Sequence, residues 1–415
     1  MAQFQTSPGM RDVLPPESAR RRRFFELFAE VVGAAGYGEV TTPLVEDYGV
    51  FARVGDATDL VQKEMYRFTD TGGRDVALRP EFTAAVCRAF AEHRPATPWK
   101  VWCGGPLLRY ERPQRGRYRQ FEQVNLEVLG STDPMVDVEV IALGWRFFQR
   151  LGLRQVTLLV NSLGSPDERA RYVDLLRRYF TDNLSALSDQ SMATLARNPL
   201  RVLDSKRPEE AELIAGAPPI AEVYESASTM HFEAVCAGLE LVGIPYTVAP
   251  RLVRGLDYYV STAFEFAGGT LESAQNALGG GGRYDGLIEA LGGPPTPGIG
   301  FALGVDRTLL ACDDEGVFPT PQASVDVFVV DTTGGAAALA ITEELRAEGI
   351  RADRAFDNRS MKAQMKAADR SGARVAVIVG PDELDAGTVL LRPMRGDGQQ
   401  TVVPRGRLVG HLTAG

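Results

Sequence analysis

The 415-residue sequence predicts an α+β protein followed by a smaller α/β module. Three stretches carry that expectation. Between Pro106 and Gly130, alternating apolar arms (Leu107, then Val124, Leu126 and Val128) flank an arginine-rich segment broken by Pro113 and Gly116, the pattern of an antiparallel hairpin. From Pro166 to Leu241 the pattern turns mostly helical, as an insertion would. Beyond residue 325, strand-like and helix-like segments alternate, as in a parallel-rich sheet with helices on its faces.

Composition bounds the function. The charged fraction of 24% is ordinary for a globular chain, and the net charge of -9 argues against a general nucleic-acid coat while leaving room for local basic surfaces. Cys87, Cys103, Cys236 and Cys312 are far apart and form no CxxC pair. Buried thiols in a reducing compartment are expected, rather than disulfides or a zinc site. His93, His231 and His411 are scattered, so a histidine-based triad or metal cluster has little to draw on. No apolar run reaches membrane-spanning length. The run Arg20 to Arg23 follows Asp12, Pro15, Pro16 and Glu17, unlike a signal or transit peptide, and a cytoplasmic protein is expected.

In chain order, residues 1–16 read as an irregular arm. Glu17 to Ala35 reads as a helix, with Phe24, Leu27, Phe28, Val31 and Ala35 at helical spacing and Gly36 and Gly38 ending it. A strand over Glu39 to Thr42 runs into Pro43. Val76 to Leu78 is strand-like and Thr83 to Phe90 helix-like. At their junction Glu81 and Thr83 suit a ligand ammonium, while Pro80 and Glu81 equally suit a plain helix start.

The hairpin loop holds Arg109, Arg112, Arg115, Arg117 and Arg119. Guanidiniums this close repel one another unless a polyanion answers them, and their planar forks suit phosphate; a solvated basic tip is the other reading. On the returning arm Gln123 and Glu127 share a face. Asp137 to Leu151 reads as a helix and Val156 to Val160 as a strand.

After the helical stretch, LVRGLDYYVSTAFEF (252–266) combines a permissive Gly255 with strand alternation at Thr262, Phe264 and Phe266. By spacing alone, Arg254 beside Asp257 is a core ion pair or a site. GGGGRYDGL (279–287) lacks phosphate-loop spacing and reads as glycines making room for a ligand beside a strand. GIGFALGVDRTLLA (298–311) turns from strand to helix, with Arg307 in a first turn where the helix dipole disfavours a cation unless an anion compensates it. Residues 313–324 are an acidic, proline-containing linker. Strands Val325–Val330, Ile350–Ala355 and Val375–Val379, helices Ala336–Glu348 and Ser360–Arg370, and short strands near Leu390 and Val402 complete the module.

RYERPQRGRYRQFEQ (109–123) resembles motif 2 of the class II aminoacyl-tRNA synthetases, in its histidyl-tRNA synthetase form. LRPE-x-T (78–83), RGLDYY (254–259) and GGRYD (281–285) resemble further blocks of that family. The helix–strand–Pro start is similar to motif 1, the stretch around Arg307 to motif 3, and NRSMKAQMKAADRSGA (358–373) to the anticodon-binding domain. The resemblance implies a class II synthetase catalytic core over residues 1–320, an antiparallel sheet flanked by helices. It also implies a helical insertion over 166–245 near the tRNA acceptor stem, and a C-terminal α/β anticodon-binding domain over 325–415.

The implied activity is that of a histidine–tRNA ligase: ATP-dependent activation of L-histidine to histidyl-adenylate, then transfer to the 3′ end of tRNA(His). Arg109 and Arg254 would serve the α-phosphate and the reacting carboxylate. Arg117 would hold the γ-phosphate, and Phe121 and Arg307 would sandwich adenine. Glu81 and Thr83 would take the α-amino group, Gln123 the amino acid's main-chain groups, and Glu127 and Tyr259 the imidazole, with Tyr258 and Tyr284 lining the pocket. Gln114 would face the tRNA acceptor end. Mg²⁺ is expected on the ATP phosphates with no protein side chain as ligand, and motif 1 implies a homodimer.

Glu122 stands where the family has His or Tyr, and Val260-Ser261 where it has Thr-Gly. The alternative, a synthetase-like regulatory subunit of ATP phosphoribosyltransferase, usually lacks the C-terminal module and an intact RGLDYY. A glycyl or prolyl enzyme would lack RGLDYY with GGRYD.

Overall fold

The computed structural model describes residues 4–53, 60–205, 207–252, 258–271, 276–321, 325–395 and 398–413. Two compact units divide the chain: Met1–Val13 with Arg20–Pro319, and Leu14–Ala19 with Thr320–Gly415.

Helix α1 (Glu17–Gly33) buries Phe24, Leu27, Phe28, Val31 and Val32, one stripe at three- and four-residue spacing. Phe24 and Phe28 meet Phe147 edge-on at 4.9 and 5.1 Å, geometry favoured by the aromatic quadrupole. Phe147 belongs to α2 (Pro134–Leu151), which starts with Asp133 accepting the Met135 N–H and stops at the left-handed Gly152.

Both helices pack on an eight-stranded sheet. Its strands are β1 (Gly38–Glu39), β2 (Trp99–Leu108), β3 (Gln120–Leu129), β4 (Val156–Ser162), β5 (Thr247–Val248), β6 (Val260–Gly268), β7 (Ala277–Arg283) and β8 (Gly298–Gly304), ordered β1-β2-β3-β8-β7-β6-β4-β5. Pairing is antiparallel except at the edges, where β1 runs parallel to β2 and β5 to β4. The expected hairpin is β2–β3, in register from Leu108↔Gln120 to Trp99↔Leu129. Val124, Leu126 and Val128 enter the core with both helices. Alternation therefore turns Phe121, Gln123, Asn125 and Glu127 to the opposite face.

Two expectations change. The strand expected over Glu39–Thr42 is only β1, because Arg79 takes the Thr42 carbonyl at 2.7 Å and Pro43 follows. The helical stretch has a core of its own, from Tyr172 to Ile220. Its last helix, Ser226–Leu241, instead joins the main core through Val235 and Leu239.

The C-terminal unit holds five strands in the order Ala352–Arg354, Val327–Asp331, Val375–Val379, Thr388–Pro393, Thr401–Pro404. The first three are parallel and the last two antiparallel. Helices Ala336–Ala347 and Met361–Arg370 supply the crossovers that parallel pairing needs; the later connections carry no comparable helix, so the sheet is mixed. Val327 to Asp331 is buried throughout, as a central strand covered on both faces must be.

Candidate active site

A cavity of about 700 Å³ opens over the sheet face that carries Phe121, Gln123 and Asn125. It is also lined by Glu81, Thr83, Arg109, Arg117, Tyr258, Tyr259 and Arg307. Residues separated by more than 200 positions thus meet in one site, as the motifs predict. Arg254 lies outside the described residues.

The apolar end has a polar floor. Glu127, 1% exposed, sits just beneath the lining. Its Oε1 accepts from the Thr83 hydroxyl and from Asn125 Nδ2, both at 2.6 Å, and its Oε2 from the Tyr284 hydroxyl. Burial pushes its carboxyl up to about 7, against the pull of those three donors. Tyr284 is itself buried, and burial and Glu127 together raise its hydroxyl well above the usual range. Tyr258 closes the wall, its ring 4.6 Å from that of Tyr259 and 5.8 Å from that of Tyr284.

Beside this floor, Glu81 makes the contact of a helix start and keeps its second oxygen unanswered. Its Oε1 accepts the Ala84 N–H at 2.8 Å at the start of helix Thr83–His93, while Oε2 is buried with no hydrogen-bond partner among the described residues. Burial pushes this carboxyl to about 7 as well. An unanswered carboxylate oxygen calls for a donor, and an ammonium fits.

The other end is cationic. Arg109 donates to the Pro80 carbonyl at 2.9 Å and lies over Phe121, 5.2 Å from the ring centroid. Arg117 pairs with Glu111 at 2.9 Å, and Arg109 lies 4.0 Å from the same carboxylate. Arg307, in the first turn of helix Val305–Glu315, donates to the Ala277 carbonyl at 3.1 Å. Burial, then Arg117, lowers its pKa, with Glu111 opposing. Arg109, Arg117 and Arg307 converge here with Glu111 as their shared counter-charge, while Glu122 and Asp306 are answered by Arg21, so the end keeps an excess of positive charge in a concave site, suited to a polyphosphate.

Gln114 is placed apart from these groups. It is exposed at the loop turn, where its backbone pairs with Arg117, and it is absent from the cavity lining. The Glu122 carboxylate is taken by Arg21 at 2.5 Å. The glycine run β7 makes room for a strand as well as a site: a Cβ on Gly279 or Gly281 would run into the backbone of β8. Among the described residues no group of three His, Cys, Asp or Glu side chains gathers to hold a metal ion. Glu111, Glu122 and Asp306, the carboxylates near the cationic end, are each paired with arginine.

Other lining residues have no individual role in the motifs. Asn125 lies between Gln123 and Glu127 on the same pleat face, so alternation alone points to it. Gln190, Thr194, Arg197 and Arg201 of the helical insertion also line the cavity. Arg201 falls in NPLRVLDSK (198–206), a stretch that resembles the family's insertion domain, and Thr194 in MATLA (192–196), a looser match; neither stretch assigns them a role, and Gln190 and Arg197 lie outside both.

The histidyl-tRNA synthetase family model matches residues 9–308, and an anticodon binding domain model matches residues 324–414. The histidine–tRNA ligase of Rhodococcus erythropolis is 47% identical over 99% of this chain and 97% of its own length. That of Geobacillus thermodenitrificans is 43% identical over 99% and 98%. The crystal structure of apo S. aureus histidyl-tRNA synthetase superposes with a TM-score of 0.83 at 35% identity, covering 99% of this chain and all 100% of that one. An ATP phosphoribosyltransferase regulatory subunit/histidyl-tRNA synthetase from Bacillus halodurans shares the fold at TM-score 0.64 and 21% identity, over 85% of this chain and 93% of its own. With the family model spanning the sheet, the arginine loop and the cavity alike, the chain belongs to the histidyl-tRNA synthetase family.

Proposed function

We infer that the protein is a histidine–tRNA ligase that activates L-histidine with ATP and transfers it to the 3′ end of tRNA(His). One observation carries this beyond likeness: a single cavity joins a buried polar floor around Glu127 and Glu81 to a cluster of three arginines.

In this reading Glu81, with Thr83 beside it, takes the α-amino group at its unanswered oxygen. Glu127 and Tyr259 bond the two imidazole nitrogens, Tyr258 and Tyr284 shape the slot, and Gln123 reaches the main-chain groups. Rivals without two matched polar atoms leave these groups unpaired, worth on the order of 10⁴–10⁵ in discrimination. Arg109 and Arg254 flank the α-phosphate, Arg117 the γ-phosphate, and adenine lies between Phe121 and Arg307. ATP enters as its Mg²⁺ complex, the ion held by phosphate oxygens.

A histidine carboxylate oxygen attacks the α-phosphorus in line. The new C–O–P bond forms as the bond to pyrophosphate breaks, and the guanidiniums hold the charge that develops. The ribose hydroxyl at the tRNA end then attacks the activated carbonyl and releases AMP. Gln114, exposed at the loop turn, faces that acceptor end. The homodimer implied by motif 1 and a cytoplasmic location complete the proposal; among the described residues no helix is long and apolar enough to cross a membrane.

The test is ATP–pyrophosphate exchange with each amino acid in turn. Histidine alone should support it. A folded protein without histidine-dependent exchange would overturn the enzyme reading in favour of a regulatory one.

A further inference from the structure

The N-terminal arm has no part in the chemistry derived so far, yet it touches both elements that bound the cationic end of the cavity. The Arg119 N–H at the foot of the arginine loop donates to the Gly9 carbonyl at 2.7 Å. Gly9 has φ +79, and a Cβ there would meet Arg119 Cγ at 2.7 Å and Pro113 Cγ at 3.0 Å, so the arm approaches the loop at a distance only glycine permits. Two residues on, the Arg11 guanidinium lies over the Tyr118 ring at 4.2 Å and donates to Asp306 Oδ1 at 2.6 Å. Tyr118 belongs to the loop; Asp306 directly precedes Arg307 and is 7% exposed. Arg11 therefore ties the loop that carries Arg117 to the first turn of the helix that carries Arg307.

We propose that the N-terminal arm is a positioning element for ATP, with Arg11 setting the distance between the arginine loop and the helix of Arg307. The chemistry needs such a tie. Arg117 and Arg307 repel one another, burial raises the cost of holding them close, and the Arg115–Asp314 pair at the loop tip is largely exposed and weak. A planar guanidinium lies flat on a ring while its edge donates to a carboxylate in a fixed direction; an ammonium has no plane to stack and fixes that geometry less firmly. Arg21 also pairs with Asp306, so the Asp306 charge stays answered when Arg11 is removed.

This proposal rests on the ATP reading of the cavity, and the experiment separates the two. In histidine-dependent exchange, Arg11→Ala should raise KM for ATP roughly tenfold while KM for histidine stays within about twofold. Arg11→Lys, which keeps the charge and loses the planar fork, should fall between. Gly9→Ala should move KM for ATP in the same direction. Trypsin should cut the 109–119 loop faster in Arg11→Ala than in the wild type without ATP, and saturating ATP should narrow the difference. An unchanged KM for ATP, or equal rises for both substrates with a lowered melting temperature, would overturn the positioning role. A wild-type protein without exchange would overturn the reading of the site instead, and the proteolysis comparison would then still report on the arm.

Discussion

At the residue scale the two buried carboxylates, proposed to hold the substrate, are also coupled to stability. Glu81 and Glu127 are both pushed from 4.5 to about 7, chiefly by burial. A folded-state pKa above the unfolded one means each group's stabilising contribution is complete below pH 4.5 and is lost as pH rises through about 7. Each represents about 3 kcal/mol at most. The melting temperature of the ligand-free protein should therefore fall as pH rises from about 5 to about 8, and Glu127→Gln should flatten part of that fall. Parallel curves for wild type and variant would refute the shift. Tyr284→Phe removes a donor that Glu127 needs and should weaken histidine binding by about 1–3 kcal/mol with little effect on ATP. Equal losses for both substrates would mean that the hydroxyl only supports the fold. The site residues assigned in sequence were legible through motifs that resemble the family's blocks; spacing alone left Glu81 and Thr83 open to a plain helix start and the arginine loop to a solvated tip. Asn125 shares the pleat face of Gln123 and Glu127 but belongs to no motif. Its value lies in a hydrogen bond to Glu127 that a list of motif positions does not contain.

At the element scale, β3 and β8 show why the pocket needs glycine on the neighbouring strand. Gly300 stands opposite Glu127 in the antiparallel register. A Cβ at Gly300 would occupy the space of the Glu127 carboxylate and press on the Leu126 carbonyl. Gly300→Ala should thus displace Glu127 and lower histidine affinity on the order of 10²-fold, while ATP binding in the same protein changes far less. Titrating each substrate separately checks this, and unaltered histidine affinity would show that Glu127 sits elsewhere when ligand is bound. The long elements were legible from period alone: the hairpin, α2 and the helix Thr83–His93 all fall close to where alternation or helical spacing puts them. What escaped were elements decided by partners distant in sequence. The early end of β1 depends on Arg79 reaching Thr42, and the helix Ser226–Leu241 joins the main core through contacts that no periodicity encodes.

At the scale of the whole molecule, the two half-reactions should be separable, and the structure moves the point of division. The acidic run from Asp313 reads in sequence as the start of a linker, but Asp313, Asp314 and Glu315 complete the helix that begins at Val305. Asp313 pairs with Arg20 at 2.7 Å, and Glu315 accepts the N–H groups of Arg154 and Gln155 at 2.9 and 3.0 Å. A cut after Ala311 would strip these partners from buried arginine and backbone donors, so the chain should be ended after Pro319, where the first unit ends. All residues assigned to adenylate chemistry, from Glu81 to Arg307, precede that point. The remaining residues contain the stretch matched by the anticodon binding domain model and have hydrophobic clusters of their own. A fragment ending at Pro319, shown first to be folded by circular dichroism and cooperative melting, should keep histidine-dependent pyrophosphate exchange. It should charge tRNA poorly, through a KM for tRNA raised on the order of 10²-fold, because the contacts made by the missing module no longer contribute to binding. Charging at the full-length rate and KM would show that residues 325–415 do not hold the tRNA.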